Sequence, residues 1–97
     1  MTGYTLAPAA RQDVLEITSF VAEESPGAAA RLGEELLRAF ALLAERPGLG
    51  HRRADLTAQA VRFWTVLGRY MVVYQEAEPV AILRVLSGYR DITGLLS

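Results

Sequence analysis

At 97 residues, with 52% apolar and 22% charged side chains, the chain is sized for one compact domain around a single core and is too apolar for a disordered polymer. A net charge of −1 argues against affinity won by neutralising many phosphates, and the lack of cysteine with a lone His51 excludes disulfides and thiolate metal sites. No apolar run nears the roughly 18 residues that cross a bilayer, and Met1 to Ala10 lack a basic-then-apolar leader, so one cytoplasmic domain over residues 1–97 is expected, without metal or cofactor.

Gly3 to Ala7 reads as a short strand that Pro8 halts. Pro8 suits a first helical position, and Ala10, Val14, Ile17 and Val21 then recur at helical spacing, with Asp13, Glu16 and Glu23 off that stripe. Ser25-Pro26 reads as an N-cap followed by a first-turn proline. It opens a second helix whose stripe is Ala29, Leu32, Leu36, Phe40 and Leu43. On its outer face Arg31 and Glu35, and Glu34 and Arg38, sit four apart, and Pro47-Gly48 ends it. A link this short makes the helices an antiparallel hairpin.

Pro47 to Ala60 has no sustained period and carries His51-Arg52-Arg53, the pattern of a surface loop. Three β-rich segments follow, Val61 to Leu67, Tyr70 to Gln75 and Val80 to Leu86, separated by Gly68-Arg69 and by Glu76 to Pro79. They predict an antiparallel meander. Asp91 to Leu96 reads as either one helical turn or a loose tail. The predicted class is α+β: a helical hairpin on one face of a four-stranded, mainly antiparallel sheet, in the order β-α-α-β-β-β, with the other face left for binding.

Charge divides along the chain. Acids outnumber arginines up to Glu45, and from Arg46 onward arginines prevail, so the folded domain is expected to show one acidic and one basic side. All ten basic residues other than His51 are arginine. That bias fits either a GC-rich genome or the use of arginine's planar fork on carboxylates and phosphates.

The stretches Val61-Arg62-Phe63-Trp64-Thr65-Val66, Tyr70-Met71-Val72-Val73-Tyr74 and Ile82-Leu83-Arg84-Val85-Leu86-Ser87-Gly88-Tyr89-Arg90-Asp91 resemble the ParE pattern of the RelE/ParE toxin superfamily. The first half agrees, with Ala10 and Asp13-Val14 opening the first helix, Pro26 and Ala29 the second, and Arg46-Pro47-Gly48-Leu49-Gly50 closing it. The resemblance covers nearly the whole chain. It implies the toxin of a type II toxin-antitoxin pair that binds DNA gyrase and blocks replication. It also implies a partner antitoxin, ParD-like with a ribbon-helix-helix domain, that neutralises the toxin in a hetero-oligomer, with no direct nucleic-acid or membrane binding by the toxin.

The superfamily also contains RelE-like ribosome-dependent mRNA endonucleases, whose 2′-hydroxyl attack needs cations at the developing charge and a group that moves a proton. Arg90 matches a nuclease arginine in position. Thr65 stands where such nucleases carry a basic residue, and Leu95-Leu96 where a tyrosine is expected. These departures favour a non-catalytic toxin and no catalytic residue, although Ser87 stands where many ParE-like chains carry histidine. A third alternative is a non-toxic module that binds antitoxin and co-represses its operon.

The residues expected to meet the target are Arg90, Tyr89, Arg84, Asp91 and Arg62, and those expected to meet the antitoxin are Phe20, Leu37, Arg52, Arg53 and Arg62. Each has a structural alternative. Alternation places Arg84 with Val80, Ile82 and Leu86, where it either pairs with Asp91 or Glu16 or offers a basic contact. Arg90 either touches the target or pairs with Asp91 at the rim. Tyr89 either anchors in a partner pocket or covers the sheet edge. Arg62 and the His51-Arg52-Arg53 loop either form a basic rim or stay solvated. Trp64, Phe63, Tyr70 and Tyr74 are expected in the core rather than as a base-stacking platform. His51 has no acid or nucleophile at a recognisable spacing.

Overall fold

The computed structural model describes residues 3–88. Strand β1 (Tyr4–Leu6) leads into helices α1 (Pro8–Glu24) and α2 (Pro26–Glu45), then a 3₁₀ turn (Pro47–Leu49) and strands β2 (Arg62–Val66), β3 (Tyr70–Gln75) and β4 (Val80–Ser87). The sheet order is β1-β4-β3-β2, with β1 parallel to β4 and the other two pairs antiparallel. The β-α-α-β-β-β order and the mainly antiparallel sheet are those the sequence predicts.

Local chemistry sets the hairpin. Pro8 and Pro26 occupy first-turn positions, where the missing N–H is no loss. Ser25 alone separates the helices: its backbone N–H donates to Val21 O at 2.9 Å, closing α1, and its Oγ accepts from Ala28 N at 3.1 Å, opening α2. Arg38 pairs with Glu35 at 2.9 Å, one turn away, rather than with Glu34 as its spacing suggested. Side chains on that exposed face are free to choose between neighbours three and four residues away.

Leu32, Leu36, Ala39, Phe40 and Leu43 pack with Ala10 onto Val72, Tyr74, Val80, Ile82 and Val85 of the sheet. The opposite face is not left open as expected. It carries a second apolar cluster of Val61, Phe63, Met71, Val73 and Leu86, against which Leu56 and Leu83 pack. Leu56 belongs to the aperiodic 47–60 segment, which therefore does more than loop over the surface. It also returns His51 to the edge of β2 as an isolated bridge, with His51 N to Phe63 O at 2.9 Å and Phe63 N to His51 O at 2.8 Å. Strand β3, whose Val72 and Val73 are both fully buried, is covered on both sides, which is why it reads as an unbroken apolar run.

Two irregularities interrupt the regular sheet. Val73 pairs with Arg84 but Tyr74 pairs with Ile82, so Leu83 is an extra residue in β4 and the alternation of side chains resets there. Leu67 (φ 55°) and Gly68 (φ 63°), bracketed by a bond from Arg69 N to Val66 O at 3.1 Å, carry the φ signs of a type I′ turn. β2 thus ends at Val66 and the turn falls on Leu67-Gly68, one residue earlier than predicted. A leucine in this region is disfavoured by about 1–2 kcal/mol.

Candidate functional site

Asp13 and Arg84, 71 residues apart, form the most constrained polar contact in the described chain. β1 pairs with β4 only as far as Ile82, whose carbonyl accepts from Ala7 N at 2.9 Å. There the chain turns into α1, and the Asp13 carboxylate takes over along the β4 edge. It accepts Val85 N at 2.9 Å, Arg84 Nε at 2.7 Å and Arg84 Nη2 at 2.9 Å. The side chains are 11% and 27% exposed, so water does little to screen the pair. The hydrogen bonds to Asp13 hold the Arg84 guanidinium above its ordinary pKa.

This corrects two expectations. Arg84 donates its hydrogen bonds to Asp13 rather than to Glu16, while Asp91 lies outside the described residues, and Arg84 does not share a face with Val80 and Ile82, because the bulge at Leu83 intervenes. Asp13 is not a solvated residue beside the α1 stripe but is buried at 9% exposure. Its place three residues after Ala10, at the border of that stripe, was the only sequence signal. Arg84 is therefore a fastener between helix and sheet, with its Nε and Nη2 donors engaged by Asp13.

Arg62 is similarly engaged at the other side of the sheet. Its Nε lies 2.5 Å from Glu76 Oε1 and its Nη1 donates to Gly50 O at 2.7 Å. The structure does bring Arg62 beside the His51-Arg52-Arg53 loop, but as the residue that ties down the loop's base. Below it Tyr74 is fully buried, its hydroxyl donating to Pro47 O at 2.6 Å and accepting Gly50 N at 2.8 Å. Burial pushes the Tyr74 phenol above its ordinary pKa. Gly50 is needed there, since a Cβ would stand 2.6 Å from Tyr74 Oη and 2.9 Å from Phe63 O. In the loop, Arg53 grips Asp55 through two bonds of 2.9 and 2.7 Å, lowering the Asp55 pKa, while His51 and Arg52 are exposed.

Phe63, Tyr70 and Tyr74 are buried and Trp64 is packed against the core, so they form no stacking platform. Phe20 and Leu37 are 75% and 56% exposed on the helices. Phe20 lines a cleft of about 420 Å³ with Ile17, Val21, Ala28, Arg69 and Tyr70, and Leu37 lies outside that cleft. Tyr89, Arg90 and Asp91 lie outside the described residues. Gly88, with φ 84°, donates its N–H to Arg69 O at 2.9 Å immediately before them.

Chemically, the two strand arginines, Arg62 and Arg84, already face carboxylates, and the buried Tyr74 phenol is held by two backbone groups. Among the described residues no cluster of three His, Cys, Asp or Glu stands ready for a metal ion, and no helix is long and apolar enough to cross a membrane.

A family model described as "ParE toxin of type II toxin-antitoxin system, parDE" matches residues 4–92. Among solved structures the chain is similar to one from "Chromosomal ParDE TA system from P. aeruginosa", with a TM-score of 0.74 at 17% identity, over 92% of this chain and 98% of that one. At that identity the likeness establishes the fold. No curated protein matches the sequence. The family match spans every element from β1 through β4, and with it the chain belongs to the ParE toxins of type II toxin-antitoxin systems.

Proposed function

We propose that this chain, acting as one domain over residues 1–97 in the cytoplasm, arrests growth by binding DNA gyrase and blocking replication. It catalyses no reaction, and a ParD-like ribbon-helix-helix antitoxin neutralises it. The observation that carries the non-catalytic reading is the Asp13–Arg84 pair. Cleavage of RNA by a 2′-hydroxyl needs cations that meet charge as it develops, and a guanidinium whose charge is already matched by a buried carboxylate on two of its three nitrogens is poorly suited to that task. Arg62, bonded to Glu76 and Gly50 O, is engaged in the same way.

In this reading Arg90, with Tyr89 and Asp91, meets the target, while exposed Phe20, Leu37 and Arg52 offer apolar and cationic contacts to the antitoxin. The test is to induce the chain without antitoxin and pulse-label DNA and protein synthesis in parallel over the first minutes, alongside a supercoiling assay with purified gyrase. Early loss of DNA synthesis and inhibited supercoiling are expected, and Arg90→Ala should lose both while keeping antitoxin affinity. Early loss of translation instead points to a ribosome-dependent nuclease, and arrest of neither points to an antitoxin-binding module.

A further inference from the structure

Leu67 breaks two rules at one position. It is an L residue with φ 55°, at the first central place of a turn that prefers asparagine or glycine, and it leaves 61% of an apolar side chain exposed. Neither choice serves the fold, because a polar residue tolerant of the left-handed region would suit both the turn and the solvent. A strained and exposed apolar residue at a hairpin tip is the pattern of a side chain kept for a partner.

Two further observations say what that partner surface is like. The turn is fastened to the end of β4, since Gly88 N donates to Arg69 O at 2.9 Å and Tyr70 pairs with Ser87. Leu67-Gly68-Arg69 therefore stands beside the point where the chain continues into Tyr89-Arg90-Asp91. Around Leu67 itself arginines also outnumber acids. Leu67 shares shallow depressions of about 210 and 200 Å³ with Arg31 on one side and Arg38 on the other, and Arg69 is exposed two residues on. The acid that lines both depressions, Glu35, is bonded to Arg38, while Glu16 and Glu24 line the separate cleft that Arg69 borders.

We propose that Leu67 and Arg69 form a second contact with the poisoned target, seated in an apolar socket that carries at least one carboxylate on its rim. The proposal rests on the toxin reading above and adds a surface to it, beside Gly88 at the end of β4. Leucine supplies the buried anchor, and the surrounding arginines select an acidic rim.

Leu67→Asn separates function from folding, because it creates the asparagine-glycine pair that a type I′ turn prefers while removing the apolar anchor. The expected result is a Tm at or above that of the parent chain and antitoxin affinity within about twofold, with gyrase inhibition and growth arrest weakened about tenfold or more, as for loss of an interface anchor. Arg69→Gln, which removes the charge without setting a third carboxylate beside Glu16 and Glu24, should weaken inhibition in the same assays with the Tm nearly unchanged. Full toxicity in both variants overturns the proposal. So does a loss of antitoxin affinity with toxicity intact, which would assign the turn to the antitoxin, or a loss of toxicity that merely tracks a fall in Tm. A parent chain that arrests growth yet leaves gyrase untouched refutes the gyrase reading alone, and comparing variants by growth arrest still decides on the turn.

Discussion

Removing the Asp13 carboxylate should be among the costliest single changes to a polar side chain here. Asp13→Ala deletes three hydrogen bonds, two of them to a guanidinium, and leaves Val85 N–H and Arg84 facing a small cavity at a position only 9% exposed. Breaking a buried ion pair from one side costs about 3–5 kcal/mol. Because Arg84 keeps 27% of its side chain in water, about 3 kcal/mol is the expected figure. Arg84→Ala should cost less, about 2 kcal/mol, because the remaining carboxylate still accepts Val85 N and can draw in water. The double variant should fall about 1–2 kcal/mol short of the sum, which is the coupling between the two side chains. Urea unfolding followed by Trp64 fluorescence and far-UV circular dichroism measures all four corners of the cycle. For a domain of this size about 3 kcal/mol corresponds to a Tm lowered by more than about 10 °C. An Asp13→Ala cost below about 1 kcal/mol, or costs that simply add, would refute the role of the pair as the fastener of α1 to β4.

Three more predictions concern the anchor under the loop. Tyr74→Phe removes the hydroxyl that bonds Pro47 O and Gly50 N, and should destabilise by about 1–2 kcal/mol in the same unfolding assay. The folded phenol has a raised pKa, so its contribution is complete below the unfolded value near 10 and is lost as pH climbs through the folded value. The parent Tm should therefore decline above about pH 10 more steeply than that of Tyr74→Phe, as read by thermal melts across alkaline pH. Gly50→Ala should cost about 2 kcal/mol or more by overpacking against Tyr74 and the Phe63 carbonyl. Adding Tyr74→Phe to it should recover part of that loss, and a fully tolerated alanine would show that the contact gives way freely.

The residues that were legible in the sequence are those whose partners lie nearby. Ser25-Pro26 announces the helix junction because cap and first turn are read within four residues, and the stripe from Leu32 to Leu43 is a matter of period alone. Asp13 was opaque because its burial is defined by Arg84 and Val85, more than 70 positions away, and nothing on α1 itself marks it as buried. The extra residue at Leu83 was equally hidden. A bulge leaves no composition cue, yet it decides which face Arg84 takes. The second face looked free because Leu56 sits in a stretch without period, and a single leucine gives no pattern to read. At the β2–β3 turn the predicted pair was Gly68-Arg69, since leucine is not expected with φ above zero. That failure of a local rule coincides with the position proposed for target contact, as expected where a residue serves something other than the fold.

The parallel pairing of β1 with β4 has a bearing on how the toxin comes into being. Tyr4, Thr5 and Leu6 find their sheet neighbours at Val80, Ala81 and Ile82, so the first strand to leave the ribosome has to wait for the last of the four. The helical hairpin is local and can assemble early, but the sheet it packs on closes only through contacts spanning most of the chain, which are slow to form. Asp13 likewise meets Arg84 only at that late stage. A partially made chain therefore lacks the closed sheet, and its β2–β3 turn lacks the bond from Gly88 N to Arg69 O, until β4 has been made.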